Sequence, residues 1–294
     1  MKYKILTLFL LLSVCQLNAQ SHNRTVQLSS NFDQSQGRLT FSANNRDFCD
    51  CHIQITFFNV EGFAGVPGRT STTVGHGRHE ILNFRVREGA TRIAYNYQYA
   101  IFRGNINKRP NIDFAYALPA AQQEIVMTRI RENIEGFQLE FELQTDTIFA
   151  ARGGVVCNDE LSDHTAKGYR AFNSSRHMSQ ITIYHSDGTF AEYVFRGESL
   201  VRPGQHVRMG EAIAVFQQDM DVNALLFSVY FLDRNMIRDT NAANKHTHFR
   251  PFFQTLDEGR VRLIDGGMYI SVLTNEMLMQ DMNRRERRLF LQNR

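Results

Sequence analysis

The segment from Ile181 to Phe195 reads ITIYHSDGTFAEYVF, and its pattern predicts a β-hairpin. Asp187 and Gly188 separate two runs in which residues alternate in character. A type I′ turn needs positive φ at both central residues, and Asp-Gly is a favoured pair for such a turn. We interpret His185, beside the turn, as a structural histidine, since buried polar groups usually have hydrogen-bond partners. The segment therefore predicts antiparallel sheet.

Strand patterns continue on both sides of this hairpin. In RIAYNYQYAIF, the residues Ile93, Tyr95, Tyr97, Tyr99 and Ile101 alternate with small or polar ones, which is typical of a half-buried strand. The tyrosines could form a stacking platform for sugar rings, but core packing is the favoured interpretation. The sequence predicts a mainly β chain with a β-sandwich-like domain at residues 21–125, an antiparallel β core at 126–273 and a basic helical tail at 274–294.

The amino-terminal residues predict export. Lys2 and Lys4 precede an apolar run from Ile5 to Val14, and small and polar residues follow it, as in a secretory signal peptide covering residues 1–20. No later stretch is long and apolar enough to predict a membrane span. The formal charge of +3 is small, so the composition does not predict nucleic acid as a partner.

The sequence does not decide whether the cysteines are free, paired or bound to metal. Removal of the predicted signal peptide leaves Cys49, Cys51 and Cys157, an odd number, so at least one is expected to be free or paired between molecules. A C-x-C pair alone has too few ligands for zinc. We interpret Cys49 and Cys51 as buried residues at the start of a strand.

Three phrases follow one another in the second half of the chain: TIFAARGGVV, ITIYHSDGTFAEYVF and LVRPGQHVRMGEAIAVF. Together they resemble the β-sheet core of M23 peptidases, the LytM-like or lysostaphin-type zinc endopeptidases that cut peptide cross-bridges in bacterial cell walls. The resemblance covers about residues 137–232. The β region before it resembles the accessory domain that precedes this core in some members.

The resemblance also implies where the catalytic site would lie. The metal-ligand positions of the family fall on Gly136, Glu140 and Leu226, and its catalytic histidines fall on Phe195 and Ala224. A catalytic zinc site needs three protein ligands and an open position, and only Glu140 among these residues could be a ligand. No metal site and no catalytic residue are therefore expected at these positions. Glu140, Phe195, Ala224 and Leu226 would line a groove without metal.

Other histidines and acidic residues give weaker signals. His246 and His248 have the H-x-H spacing, but they lie about twenty residues beyond the strand that carries this motif in the family. They are an alternative metal site, although a lone H-x-H is a weak signal. The loop from Asn158 to His164 is predicted to be an acidic surface turn, which a cation could occupy by chance.

These expectations define one principal function and two alternatives. The resemblance implies an exported, periplasmic or extracellular protein of the bacterial envelope that is catalytically inactive, has no cofactor, and binds peptidoglycan or regulates a cell-wall hydrolase. One alternative is an active zinc metalloendopeptidase that cleaves peptidoglycan cross-links through a rearranged site. The other is a purely structural β scaffold.

Overall fold

The computed structural model describes residues 25–133, 136–157, 178–218, 222–239, 244–282 and 284–292. The predicted signal peptide and the acidic loop of Asn158 to His164 lie outside these residues. The described chain is mainly β, as predicted, with antiparallel sheets and short helices at its carboxyl end.

The first part of the chain forms two antiparallel sheets of three strands. One sheet has the order β1-β2-β5 and the other the order β4-β3-β6. The strands are β1 Val26–Asp33, β2 Arg38–Asn45, β3 Cys51–Glu61, β4 Arg69–Val74, β5 Gly77–Arg85 and β6 Ala94–Arg103.

Aromatic side chains fill the space between these two sheets. The Phe41 side chain is fully buried, and its ring lies 5.3 Å from that of Phe57 and 5.0 Å from that of Tyr97, both edge to face. Tyr95 also packs against this core, whereas Tyr99 is 36% exposed. The core interpretation of the tyrosine stripe is therefore confirmed for Tyr95 and Tyr97, which bury their rings as a sandwich requires.

The second part of the chain is built on one large sheet of nine strands. Eight of them lie side by side, and β18 (His246–His248) pairs with one of these, β17. In spatial order the eight are β15 His206–Val207, β11 Gly154–Val156, β12 Ser179–Tyr184, β13 Thr189–Phe195, β17 Asn223–Leu232, β9 Gly136–Leu143, β8 Ile125–Asn133 and β21 Met268–Ile270.

Two small sheets and three helices complete the described chain. One sheet contains β10 (Thr147–Phe149), β16 (Ala212–Phe216) and β14 (Gly197–Ser199). The other contains β20 Gly259–Val261, β19 Phe252–Thr255 and β7 Ala115–Ala117. The helices are α1 Arg234–Arg238, α2 Asn275–Met279 and α3 Arg284–Gln292. No helix within the described ranges has the length and apolar character that crossing a membrane would require.

The structure places the start of the second part earlier than predicted. Strand β7 lies within residues 21–125, yet it pairs in parallel with β19. Strand β8, which shows neither a clear helical nor a clear strand pattern in the sequence, pairs with β9 from Met127 to Asn133. The boundary between the two parts of the chain therefore lies between β6 and β7. Strands β7 and β8 are part of the second part because they pair with strands that follow them in the sequence.

The predicted hairpin is present, but its turn differs from the prediction. Strands β12 and β13 are antiparallel neighbours, with Tyr184 opposite Phe190. The amide of Gly188 donates to the carbonyl of His185 over 3.1 Å, and Gly188 has a φ of +91°. Among the described residues other than glycine, only Asn59 and Gln123 have positive φ, so Asp187 does not. The type I′ prediction is wrong, because Asp187 instead accepts from the Thr189 amide and hydroxyl.

The large sheet has two faces with different surroundings. Tyr193, Leu225 and Phe227 belong to the core on the face that we call the inner face. Because side chains alternate along a strand, Leu226 and Val194 lie on the opposite, outer face. At one end of the outer face, Tyr184 and Phe190 join the core of the sandwich. The first part of the chain therefore packs on the outer face.

Candidate functional site

The outer face brings together three positions that the M23 resemblance assigns to one site. Leu226 of β17 lies directly opposite Glu140 of β9 and, on its other side, opposite Val194 of β13. Directly opposite residues have Cβ atoms about 4.5–5.5 Å apart. Ala224 lies two residues from Leu226 on the same face, opposite Glu142. Residues from distant parts of the sequence thus lie side by side on this face.

Glu140 is held by two arginines of the neighbouring strand. Arg131 donates a hydrogen bond to Oε2 of Glu140, and Nη1 of Arg129 lies 3.9 Å from Oε1. The Glu140 side chain is 11% exposed, whereas that of Arg129 is 58% exposed. Each carboxylate oxygen therefore faces a positive charge already. A cation at Glu140 would have to compete with both guanidinium groups.

Gly136 lies close to His248 and away from Glu140. A Cβ atom added to Gly136 would lie 2.6 Å from Cγ of His248, so the imidazole occupies the space that a side chain at position 136 would need. Gly136 also has a φ of +136°, which favours glycine. Four residues along a strand span about 13 Å, so side chains at 136 and 140 could not bind one metal ion.

Phe195 does not join the other three predicted groove residues. Its side chain is fully buried in the core on the inner face, where its ring lies 6.3 Å from that of Phe216. Phe195 is two residues from Tyr193 and therefore shares its face, while Leu226 lies on the other. The prediction that Phe195 lines a groove with the other three residues is wrong, because side chains alternate along β13 and Phe195 lies on the inner face.

The alternative metal site at His246 and His248 does not assemble. Strand β18 runs beside β17, and the ring of Tyr230 contacts both imidazoles, at 5.3 Å from His246 and 5.0 Å from His248. Nε2 of His246 donates to the carbonyl of Arg103 over 2.9 Å. Both imidazoles therefore pack against Tyr230 at the end of the sheet, and His246 also binds a backbone carbonyl.

Burial, together with a smaller effect of the neighbouring His246, lowers the pKa of His248 to about 4. The unfolded chain, with an ordinary histidine pKa near 6.5, then binds more protons than the folded chain as pH falls. Stability contributed by neutral His248 is complete above about pH 6.5 and is lost towards pH 4. We expect His248→Gln to flatten the pH dependence of unfolding in this range, by at most about 3 kcal/mol.

Urea unfolding followed by circular dichroism at several pH values from 4 to 7 would measure this effect. His206→Gln is the matched control, because His206 is exposed on β15. If the free energy of unfolding depends on pH in the same way for wild-type protein and His248→Gln, then His248 has the same pKa in the folded and unfolded chain.

His185 is a structural histidine, as predicted. It is 1% exposed, and its Nδ1–H donates to the carbonyl of Gly153 over 2.9 Å. Burial lowers its pKa to about 3, with a further contribution from the Arg152 charge, so the ring is neutral in the folded protein. Its edge faces Tyr116 at 5.9 Å. The hydrogen bond holds the hairpin against the segment before β11.

Polar side chains form a row across the outer face beside Leu226. Thr182 is opposite Glu192, and Glu192 is opposite Ser228. Nε2 of Gln180 donates to Oε2 of Glu192 over 3.0 Å. Thr182 is fully buried and Ser228 is 5% exposed, so their hydroxyls are not open to a ligand, whereas Gln180 and Glu192 are half-buried.

A different group of residues is the one that could hold a metal ion. Across the described part of the chain, only Asp47, Cys49 and Cys157 place three potential ligand atoms within 4.8 Å of one another. The sequence pattern gave no indication that Cys157 lies beside Cys49. The only available signal was the odd number of cysteines, which does not identify neighbours.

Comparisons with known proteins add little to this geometry. No family model matches the chain, and no curated protein matches it. One similar solved structure is described as "A Novel M23 Metalloprotease Pseudoalterin from Deep-sea". The match has a TM-score of 0.32 and 12% sequence identity, and it covers 54% of this chain and 96% of that one. Similarity at this level gives no information about the function of this chain.

Proposed function

We propose that this chain is an exported, catalytically inactive M23 peptidase-like protein of the bacterial cell envelope that binds peptidoglycan through its outer face. The observation that carries the proposal is the pairing of Leu226 with Glu140, with Ala224 beside them. These residues come from strands that are far apart in sequence. If the sequence resemblance were accidental, these residues would not be expected to lie on adjacent strands.

The residue types at these positions account for inactivity. Leucine and alanine side chains have no lone pair for a metal ion, and Glu140 already pairs with Arg131. Glu140 is then the one remaining ligand of the three that catalytic zinc needs. Without bound metal at this place, no water there would have its pKa lowered towards about 7.

The charges on the outer face favour a ligand with carboxylates. The Arg129 side chain is 58% exposed, so its guanidinium, whose Nη1 lies 3.9 Å from Oε1 of Glu140, also faces solvent. Peptidoglycan stem peptides carry free carboxylates, and arginine binds carboxylates through paired, charge-assisted hydrogen bonds. Regulation of a cell-wall hydrolase could use the same surface.

Sedimentation with insoluble peptidoglycan tests the proposal. Wild-type protein should be retained, and Arg129→Glu should weaken binding by about 10-fold or more, because a hydrogen bond to a charged group contributes about 1.5–3 kcal/mol. Arg85→Glu is the matched control, since Arg85 is exposed on β5 of the sandwich and makes the same charge change. The control should bind like wild type.

Two results would contradict the proposal. Retention no greater than that of an unrelated β-sandwich would favour a purely structural scaffold. Release of soluble peptidoglycan fragments that stops on addition of a chelator would favour the active metalloendopeptidase.

A further inference from the structure

Three cysteines from distant parts of the chain meet in the interior. Cys49 lies between β2 and β3, Cys51 begins β3, and Cys157 follows β11 of the large sheet. Each is at most 1% exposed, and all three are free thiols in this structure. Soft thiolate ligands favour zinc and copper(I) among metal ions. The cluster lies where the sandwich packs on the outer face.

Asp47 completes a compact set of donor atoms. A carboxylate oxygen of Asp47 and the sulfurs of Cys49 and Cys157 all lie within 4.8 Å of one another. Zinc–sulfur bonds of about 2.3 Å in a tetrahedral site put the sulfurs about 3.8 Å apart, so small side-chain movements would suffice. Cys51 is also buried, but its sulfur is not among the atoms within 4.8 Å of one another, and it lies 3.8 Å from Oδ1 of Asn45.

Neighbouring groups hold these donors in position. Asn45 is fully buried; its Oδ1 accepts from the Asp47 amide over 2.9 Å, and its Nδ2 donates to the Cys49 carbonyl over 2.9 Å. The Cys157 amide donates to the carbonyl of Thr182 over 2.9 Å. Such outer contacts orient metal ligands before the metal binds.

The charges around the cluster allow a divalent cation. Nε of Arg103 lies 2.9 Å from Oδ2 of Asp47, whose side chain is 1% exposed. This ion pair balances the Asp47 charge without metal. Binding of Zn²⁺ with release of one proton from each of two thiols leaves the total charge unchanged, so no net charge is added to the interior.

We propose that Asp47, Cys49 and Cys157 form a buried Zn²⁺ site that joins the sandwich to the large sheet. This site is separate from the M23 positions around Leu226. All three residues are at most 1% exposed, so a substrate would not reach the ion and its effect would be on stability. Structural zinc contributes directly to folding free energy, because an unfolded chain rarely has a preformed site.

The test uses the full chain, purified under reducing conditions without chelators. Elemental analysis should give one zinc ion per chain. Co²⁺ added to the zinc-free protein should give the intense near-ultraviolet absorption of thiolate–cobalt bonds. Cys157→Ser and Asp47→Asn should each weaken Co²⁺ binding by more than the roughly 10- to 100-fold effect of losing an outer-shell partner. Glu140→Gln is the matched control, because Glu140 lies at an M23 metal position, and it should keep zinc and the cobalt spectrum.

Several outcomes would overturn this proposal. Wild-type protein without zinc or thiolate–cobalt absorption would do so even if the variants fail to fold. Intact mass two hydrogens lower for protein isolated without reductant, with Cys49 and Cys157 in one linked peptide, would show a disulfide instead. Loss of the metal in Glu140→Gln but not in Cys157→Ser would place it in the M23 site.

Discussion

Replacing Arg152 with alanine is expected to lower the free energy of unfolding by about 3–5 kcal/mol, because it leaves buried charge without a partner. The Arg152 side chain is 2% exposed. Its Nη1 donates to Asp187 over 2.9 Å and its Nη2 to Asp281 over 2.8 Å. Its guanidinium also lies 3.8 Å from the ring centre of Phe114. The residue thus connects the hairpin turn with the chain after α2.

Urea unfolding at neutral pH would measure the loss. Arg38→Ala is the matched control, since Arg38 pairs with Glu80 over a similar distance of 2.8 Å but is 40% exposed. An exposed pair contributes about 1 kcal/mol or less, so the control should remain close to wild type. Equal losses for the two variants would contradict the buried network described for Arg152.

Phe195→Ala should cost about 3–5 kcal/mol of stability and leave peptidoglycan binding unchanged. The large loss is expected because the ring is fully buried among inner-face residues, including Phe216, and alanine would leave a cavity. Binding should persist because Arg129, the exposed residue proposed to bind the ligand, lies on the other face of the sheet. Chemical unfolding and sedimentation with peptidoglycan would measure the two properties separately.

Phe58→Ala is the control for loss of a phenyl ring, because Phe58 is 36% exposed on β3. We expect a much smaller effect on stability there. Phe195→Ala protein that stays stable but no longer binds peptidoglycan would return Phe195 to the groove that the resemblance implies.

Much of the fold could be predicted because strand patterns are local. The alternation in ITIYHSDGTFAEYVF predicts the β12–β13 hairpin, and the alternation around Tyr95 and Tyr97 predicts β6. In such strands every second side chain faces a core, so apolar residues recur at every second position of the sequence. The carboxyl-terminal helix is also recognisable, since α3 has few residues that interrupt a helix.

Other features depend on contacts that no local pattern records. The turn type changes because Asp187 bonds Thr189 and Arg152 instead of adopting positive φ. Strand β8 carries Arg129 opposite Glu140 and Arg131 opposite Gln138, and both arginines pair with Glu140, so contacts between strands support a segment whose own pattern is weak. The reason for glycine at position 136 is visible only in the folded chain, where His248 occupies the space that a side chain would need.

The sequence by itself determined the mainly β class, the central hairpin and the absence of histidine at the positions that the M23 resemblance assigns. Strand periodicity and side-chain chemistry are local properties that each residue type carries. Tertiary structure alone decided that Phe195 faces the core while Leu226 meets Glu140, since the face of a residue depends on register across strands. It also brought Cys157 to Cys49 and Asp47. Donor atoms become a possible site only when packing holds them within bonding distance of one ion.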